Sequence, residues 1–163
     1  MAGWVSGAEE ILAQGAPPHF IVMACGSALT LAGLALGFKH LGAPTRVLGV
    51  SVQQPIARLR PWIVEAAGKG AALLGLATRL IETDFDLLDA VGEGYGKASQ
   101  DGIDAVRLAG RTQGLVLDPV YTGKALAGLR AGVASGAVPR DADVMFLHSG
   151  GAPGLFANAD AFR

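Results

Sequence analysis

Residues Phe20–Gly37 constrain this chain more than any other stretch. They read FIVMAC, then GSALT, then LAGLALG. Phe20–Cys25 is a short apolar run of strand-forming residues, Gly26-Ser27 interrupts it, and an apolar helical pattern follows from Ala28. That order predicts a buried parallel strand, a tight loop and a helix whose N-terminus faces the loop. Free backbone N–H groups, the Ser27 and Thr30 hydroxyls and the positive end of the helix dipole would all favour a phosphate there. An ordinary βα turn capped by Ser27 would leave the same pattern. Residues 20–38 are also nineteen consecutive uncharged positions, with Gly33 and Gly37 in a GxxxG arrangement. That length would suit a membrane span. The central Gly26-Ser27 and the lack of Trp or Tyr at the edges favour a strand and helix in tandem instead.

The rest of the chain repeats this alternation. Ser6 followed by Glu9 suggests a capping box, and so a helix to about Gln14. Thr45–Val52 reads as a second strand, completing a right-handed βαβ unit. Pro55–Leu80 reads as largely helical, with Pro61 either a kink or the start of its main part. Gly68 and Gly70 in its middle suggest close packing against another backbone. Thr83–Asp89 reads as an acidic loop and Val91–Ala98 as a glycine-rich one. Ser99 should cap a helix through about Arg111, and Thr122 another. Val144–His148 reads as a third clear strand, broken by Ser149-Gly150-Gly151 before a last helix over Ala152–Ala159. The class expected is α/β, a mainly parallel open sheet with helices on both faces. Ligands in such sheets bind beyond the carboxyl ends of the strands. The glycine breaks at 26 and 150–151, with the loops holding Tyr95 and Tyr121, could therefore converge on one crevice.

Composition excludes several functions. With 13 Lys+Arg against 14 Asp+Glu there is no basic stripe, so nucleic acid is not an expected partner. Charged residues make up only 17% of the chain, and 24 residues are glycine. So little charge implies a face buried against further sequence or a partner subunit. One cysteine, Cys25, rules out an internal disulfide and fits a reducing, cytoplasmic compartment. The N-terminal stretch, with Glu9 and Glu10, does not resemble a signal peptide. His19, His40 and His148 are scattered without metal-ligand spacing, so no metal site is expected. There is no G-x-S-x-G, the Tyr121-Thr122-Gly123-Lys124 stretch lacks the remainder of a P-loop, and Gly92–Gly96 is a poor dinucleotide fingerprint.

The last third carries more specific signals: Leu117-Asp118-Pro119-Val120-Tyr121-Thr122-Gly123-Lys124-Ala125, and then Phe146-Leu147-His148-Ser149-Gly150-Gly151-Ala152-Pro153-Gly154. These stretches resemble the closing motifs of the 1-aminocyclopropane-1-carboxylate deaminase / D-cysteine desulfhydrase family, fold-type II pyridoxal-phosphate enzymes. Gly92–Gly96 with Tyr95 resembles that family's glycine-tyrosine loop, and Gly26–Thr30 its phosphate loop. The resemblance implies that Gly26, Ser27, Ala28, Leu29 and Thr30 hold the phosphate of pyridoxal 5'-phosphate, mostly by backbone N–H. It implies that Tyr95 and Tyr121 border a small amino-acid substrate and carry or orient protons. It also implies that Ser149 faces the pyridine nitrogen where the family has a Thr. The reaction implied is elimination or ring-opening deamination, giving ammonia and a 2-keto acid.

Two departures qualify that picture. Ala28-Leu29 stands where the family usually has Gly-Gly or a compact polar pair, so Leu29 should narrow the cup or need a backbone angle that a side chain resists. The family's Schiff-base lysine lies in an N-terminal segment that nothing here matches. Of Lys39, Lys69, Lys97 and Lys124, only Lys124 lies in a family motif, and there it reads as a charged residue in a helix's first turn. Residues 1–163 are thus expected to be one partial domain, the cofactor-binding portion without its first strands and small domain. It would be inactive alone, and would pair with a missing N-terminal half or a homodimer partner. A split enzyme and a non-catalytic phosphate- or pyridoxal-phosphate-binding module are the alternatives.

Overall fold

A computed structural model describes residues 1–163. The elements in order are α1 (Ala2–Ala13), β1 (Phe20–Cys25), α2 (Leu29–His40), β2 (Arg46–Ser51), α3 (Ile56–Leu73), β3 (Phe85–Asp89), α4 (Gln100–Gln113), α5 (Thr122–Ser135), β4 (Val144–Leu147) and α6 (Ala152–Ala157), then a 3₁₀ turn at Ala159–Phe162. The four strands form one sheet in the order β3-β2-β1-β4, and every pairing is parallel. Phe20 stands opposite Arg46 on one side and Val144 on the other.

This order has a direct consequence for the site. From β1 the chain steps one way, to β2 and β3, and then returns to lay β4 on the far side of β1. Right-handed crossovers send helices to opposite faces when the direction of winding reverses. One face accordingly carries α2 and α3 over Ile21, Met23, Val47 and Phe85. The other packs Ala125 and Val138 over Val22, Ala24, Leu48 and Val50. β1 is buried on both sides, which explains its unbroken apolar run. The reversal falls between β1 and β4, where the connections run to opposite faces of the sheet and leave room for a ligand between them.

The GxxxG glycines are a helix contact inside the fold. A Cβ on Gly33 would lie 2.6 Å from the Trp4 Cβ, and one on Gly37 2.8 Å from the Val5 carbonyl oxygen. The two glycines therefore let α1 lie against α2. No helix is long and apolar enough to cross a membrane.

Four expectations need correction. Ser6 caps nothing: α1 begins at Ala2, and Ser6 lies inside it. Residues 83–89 are not simply a loop, since Phe85–Asp89 is the strand at one edge of the sheet, with Phe85 and Leu87 buried. Its mid-strand acid, Asp86, is paired: the carboxylate takes Arg46 Nε at 2.7 Å and Nη2 at 3.0 Å. That pairing raises the Arg46 pKa. α3 stops at Leu73, with Pro61 inside it. Of its two glycines, Gly70 meets the Met1 side chain and Gly68 faces open space, so neither packs on a backbone.

Candidate functional site

At the carboxyl end of β1 the chain leaves the sheet through Gly26-Ser27-Ala28 and enters α2 at Leu29. The N-cap, Ala28, has a left-handed φ of 66° and makes no side-chain cap. It is the only non-glycine residue with positive φ. The backbone demand expected at Leu29 therefore falls one residue earlier, and alanine bears it. The Trp62 indole N–H donates to the Ser27 carbonyl at 2.9 Å, fixing that peptide from α3. The N–H groups of Gly26, Ser27, Ala28, Leu29 and Thr30 make no hydrogen bond within the chain. Five successive donors at the positive end of a twelve-residue helix are left for an external acceptor.

Four of these five residues, all but Leu29, border a cavity of about 480 Å³. Gly26, Ser27, Ala28, Thr30, Tyr95, Tyr121 and Ser149 line it, joined by Gln53 and by Gly150-Gly151. Seven of the eight sequence-predicted residues thus meet in one place. Leu29 is the exception: its side chain is 41% exposed outside the cavity, so it does not narrow the cup. Sequence reasoning missed Gln53. Its only signal was its position just past the end of β2, where the Ser51 hydroxyl donates to the Gln54 carbonyl and shapes the turn. A Cβ on Gly26 would lie 3.2 Å from Gln53 Oε1 and 3.5 Å from Tyr121 Cε1, so side chains close over a bare backbone.

Tyr121 is placed by Asp118. That side chain, 1% exposed, accepts the N–H groups of Val120 (2.9 Å), Tyr121 (2.8 Å) and Thr122 (2.9 Å) and the Thr122 hydroxyl (2.7 Å). Thr122 Oγ1 in turn accepts the Asp118 N–H at 2.9 Å. The start of α5 is therefore capped by Asp118, not by Thr122 as the sequence suggested. Gly151, with φ 102°, passes so close to Asp118 that any Cβ would overlap its Oδ1. The Ser149 loop is thereby pressed against the same carboxylate. His148 steadies that loop without a metal: Gly150 N–H donates to Nδ1, so Nε2 carries the proton and donates to the Val116 carbonyl at 2.8 Å.

The phenols of Tyr95 and Tyr121 are 2.7 Å apart, with ring centroids at 6.3 Å and planes at 74°. The hydrogen bond to Tyr95, then burial and the nearby Tyr95 and Asp118, push Tyr121 up to about 12. It is protonated at neutral pH, so its hydroxyl is available as a hydrogen-bond donor and is not a standing base. No lysine lines the cavity. Lys124 is not a surface residue of a first turn either: it is 1% exposed and donates to the Val91 carbonyl at 2.8 Å, away from the cup. No group of His, Cys, Asp and Glu could hold a metal ion.

A cradle of unpaired N–H groups, a hydroxyl and two phenols around a cavity of this size fits a small phosphorylated aromatic cofactor. Comparison with protein families agrees. The model of the pyridoxal-phosphate dependent enzyme family matches residues 1–150. The chain belongs to this family. Among solved structures, an ACC deaminase homologue superposes with a TM-score of 0.89 and 32% identity, over 98% of this chain and 48% of that one. A fungal L-serine ammonia-lyase from Rhizomucor miehei superposes with a TM-score of 0.63 and 19% identity, over 99% of this chain and 55% of that one. The processed form of threonine deaminase isoform 2 from Solanum lycopersicum gives 0.54 and 18%, over 91% and 44%. The last two share the fold. The chain spans about half the length of each of these structures. The α/β sheet with helices on both faces is that of fold-type II pyridoxal-phosphate enzymes, and pyridoxal phosphate is the family's cofactor.

Proposed function

We propose that this chain is the phosphate-holding portion of an enzyme of the D-cysteine desulfhydrase / 1-aminocyclopropane-1-carboxylate deaminase type. The reaction is elimination or ring-opening deamination of a small amino acid, releasing ammonia and a 2-keto acid. The observation that carries this reading is the run of five unpaired N–H groups, Gly26–Thr30, opposite two hydrogen-bonded phenols across one cavity. Pyridoxal phosphate, when bound, supplies the electron sink that lets bonds at the substrate α-carbon break. The backbone of residues 26–30 and the α2 dipole bind its phosphate. The Ser149 hydroxyl serves the ring nitrogen and, unlike a carboxylate, does not hold it protonated. Tyr121, kept neutral by its environment, hands a proton to or from the substrate, and Tyr95 orients both.

The chemistry also needs an amine to link the cofactor, and no lysine lines the cavity. In this reading that lysine comes from a further segment, attached or separate, and residues 1–163 are one partial domain without turnover of their own. β4 supports the idea: it pairs only with β1, and none of its residues is fully buried, so its outer edge can take more sheet. The same missing lysine favours a second reading, a non-catalytic module that binds pyridoxal phosphate or another phosphate compound. The single thiol, Cys25, fits a cytoplasmic setting.

The test is keto-acid and ammonia release from D-cysteine and from 1-aminocyclopropane-1-carboxylate with added pyridoxal phosphate. We expect none from the chain alone, and turnover when it is co-expressed with a polypeptide carrying the lysine-bearing half. Turnover by the chain alone would contradict the partial-domain reading. No turnover in a purified, cofactor-loaded assembly would favour the binding module.

A further inference from the structure

Lys124 is the only buried basic residue, and no role described so far uses it. Its stem packs under the start of α4, where a Cβ on Gly102 would lie 3.3 Å from its Cγ. Its ammonium donates to the Val91 carbonyl at 2.8 Å. The surrounding cavity, about 250 Å³, is lined by Asp89 at the end of β3, Gly92, and Ser99 and Asp101 at the start of α4. Burial lowers the pKa of the amine, and Glu93 on the loop offsets this only in part. Burying a long cation against one neutral carbonyl is a costly way to gain stability alone.

Its position suggests another use. Lys124 lies one turn after Tyr121 on α5, and Val91 is the root of the loop that carries Tyr95. That loop has little else to hold it. Val91 N–H donates to Asp89 Oδ1 at 2.9 Å, and two long backbone bonds, Gly94 to Val91 at 3.3 Å and Lys97 to Gly94 at 3.4 Å, complete its turns. Gly92, Gly94 and Gly96 all have positive φ, and Tyr95 is 58% exposed. We propose that Lys124 is a positioning residue, a strap from α5 to Val91 that keeps the Tyr95 phenol on the Tyr121 phenol at the cavity. The purpose of the strap rests on the proposed function, but its test reads the phenols and the loop alone, so the two can fail separately.

Tyr95 and Tyr121 are the only tyrosines. Tyrosine labelled with ¹³C at Cζ therefore gives two signals, and their titration follows the pair directly. In the full chain one phenol should titrate near 12. In Lys124→Met, which keeps the stem and loses the donor, that phenol should return towards its ordinary value of about 10, up to roughly a hundredfold change in proton affinity. At pH 7 the Gly94 and Lys97 amides should exchange at least about tenfold faster in this variant. Lys124→Arg, which retains a donor, should preserve the high phenol. A folded Lys124→Met with the phenol still near 12 and unchanged amide exchange would overturn the proposal. Should that variant fail to fold, Gly92→Ala disturbs the strap from the loop side. The Gly92 Cβ position lies 3.8 Å from Lys124 Nζ, at a φ of 62° that alanine resists. An unchanged phenol in Gly92→Ala would likewise overturn it.

Discussion

Asp118→Asn is the sharpest perturbation of the site that leaves the cup itself untouched. The Asp118 side chain satisfies three backbone N–H groups and the Thr122 hydroxyl while 1% exposed. Asparagine can keep an oxygen towards Thr122. Its NH₂ then faces the N–H groups of Val120 and Tyr121, donor against donor, where Oδ2 had accepted both. Hydrogen bonds to a charged acceptor contribute about 1.5–3 kcal/mol each, and an unmet buried donor costs about as much. Two such losses, one of them partly open to water at Tyr121, come to about 3 kcal/mol. With an m-value of about 2 kcal/mol/M, the urea midpoint should fall by roughly 1.5 M. Asp118→Ala, losing all four bonds, should approach the whole stability of a small domain, about 5 kcal/mol or more. A cycle with Thr122→Val should show coupling of about 1 kcal/mol or more, because Thr122 Oγ1 and Asp118 bond each other in both directions. An Asn variant within about 0.3 M of the parent midpoint would refute the claim that this carboxylate holds Tyr121 and the start of α5.

Gly37→Ala should cost about 1–3 kcal/mol in urea denaturation, since its methyl would lie 2.7 Å from the Ala8 Cβ and 2.8 Å from the Val5 carbonyl oxygen. A neutral result would mean α1 does not pack on α2 as described. Ala28→Gly should change stability by less than about 1 kcal/mol: relief of the left-handed φ is offset by a freer unfolded chain and the loss of a buried methyl. Cys25 is buried and its thiol pushed up to about 12, so it should resist disulfide reagents at pH 8 until the chain unfolds. The Cys25 and Tyr121 pKa values are both raised on folding, so the stability they contribute is complete below about pH 9 and is lost as pH rises towards 12. Urea midpoints should fall across that window, and less steeply in Cys25→Ala.

The route from sequence to site was clearest where local chemistry and topology agree. A central strand buried on both faces must be apolar throughout, so Phe20–Cys25 and the glycine break after it could be read directly. Strand ends in a parallel sheet must share an edge, so the glycine breaks at 26 and 150–151 could be expected together, whereas the Tyr95 loop could only be expected to reach them because the strand before it went unread. β3 was obscured because Asp86 looks like loop chemistry until Arg46, forty residues away, is seen to pair with it. The true start of α1 was obscured because Ser6 imitates a cap, while packing of Met1 and Trp4 against Gly33 decides the matter. Gln53 carries no motif at all. Lys124 lies in a readable motif, but only the packing of α4 on α5 reveals that it is buried.

The measurement closest to the central claim is a titration of the chain with pyridoxal phosphate, read by tryptophan fluorescence, since Trp62 holds the Ser27 carbonyl at the cup. It should be repeated with pyridoxal, and with inorganic phosphate as competitor, then followed by borohydride reduction and peptide mapping. The account predicts saturable binding, much weaker binding of pyridoxal, competition by phosphate, and no single lysine labelled on reduction. Equal affinity for pyridoxal, or indifference to phosphate, would contradict a cup built from the N–H groups of residues 26–30. A label fixed on one defined lysine would contradict the inference that the linking amine comes from another segment.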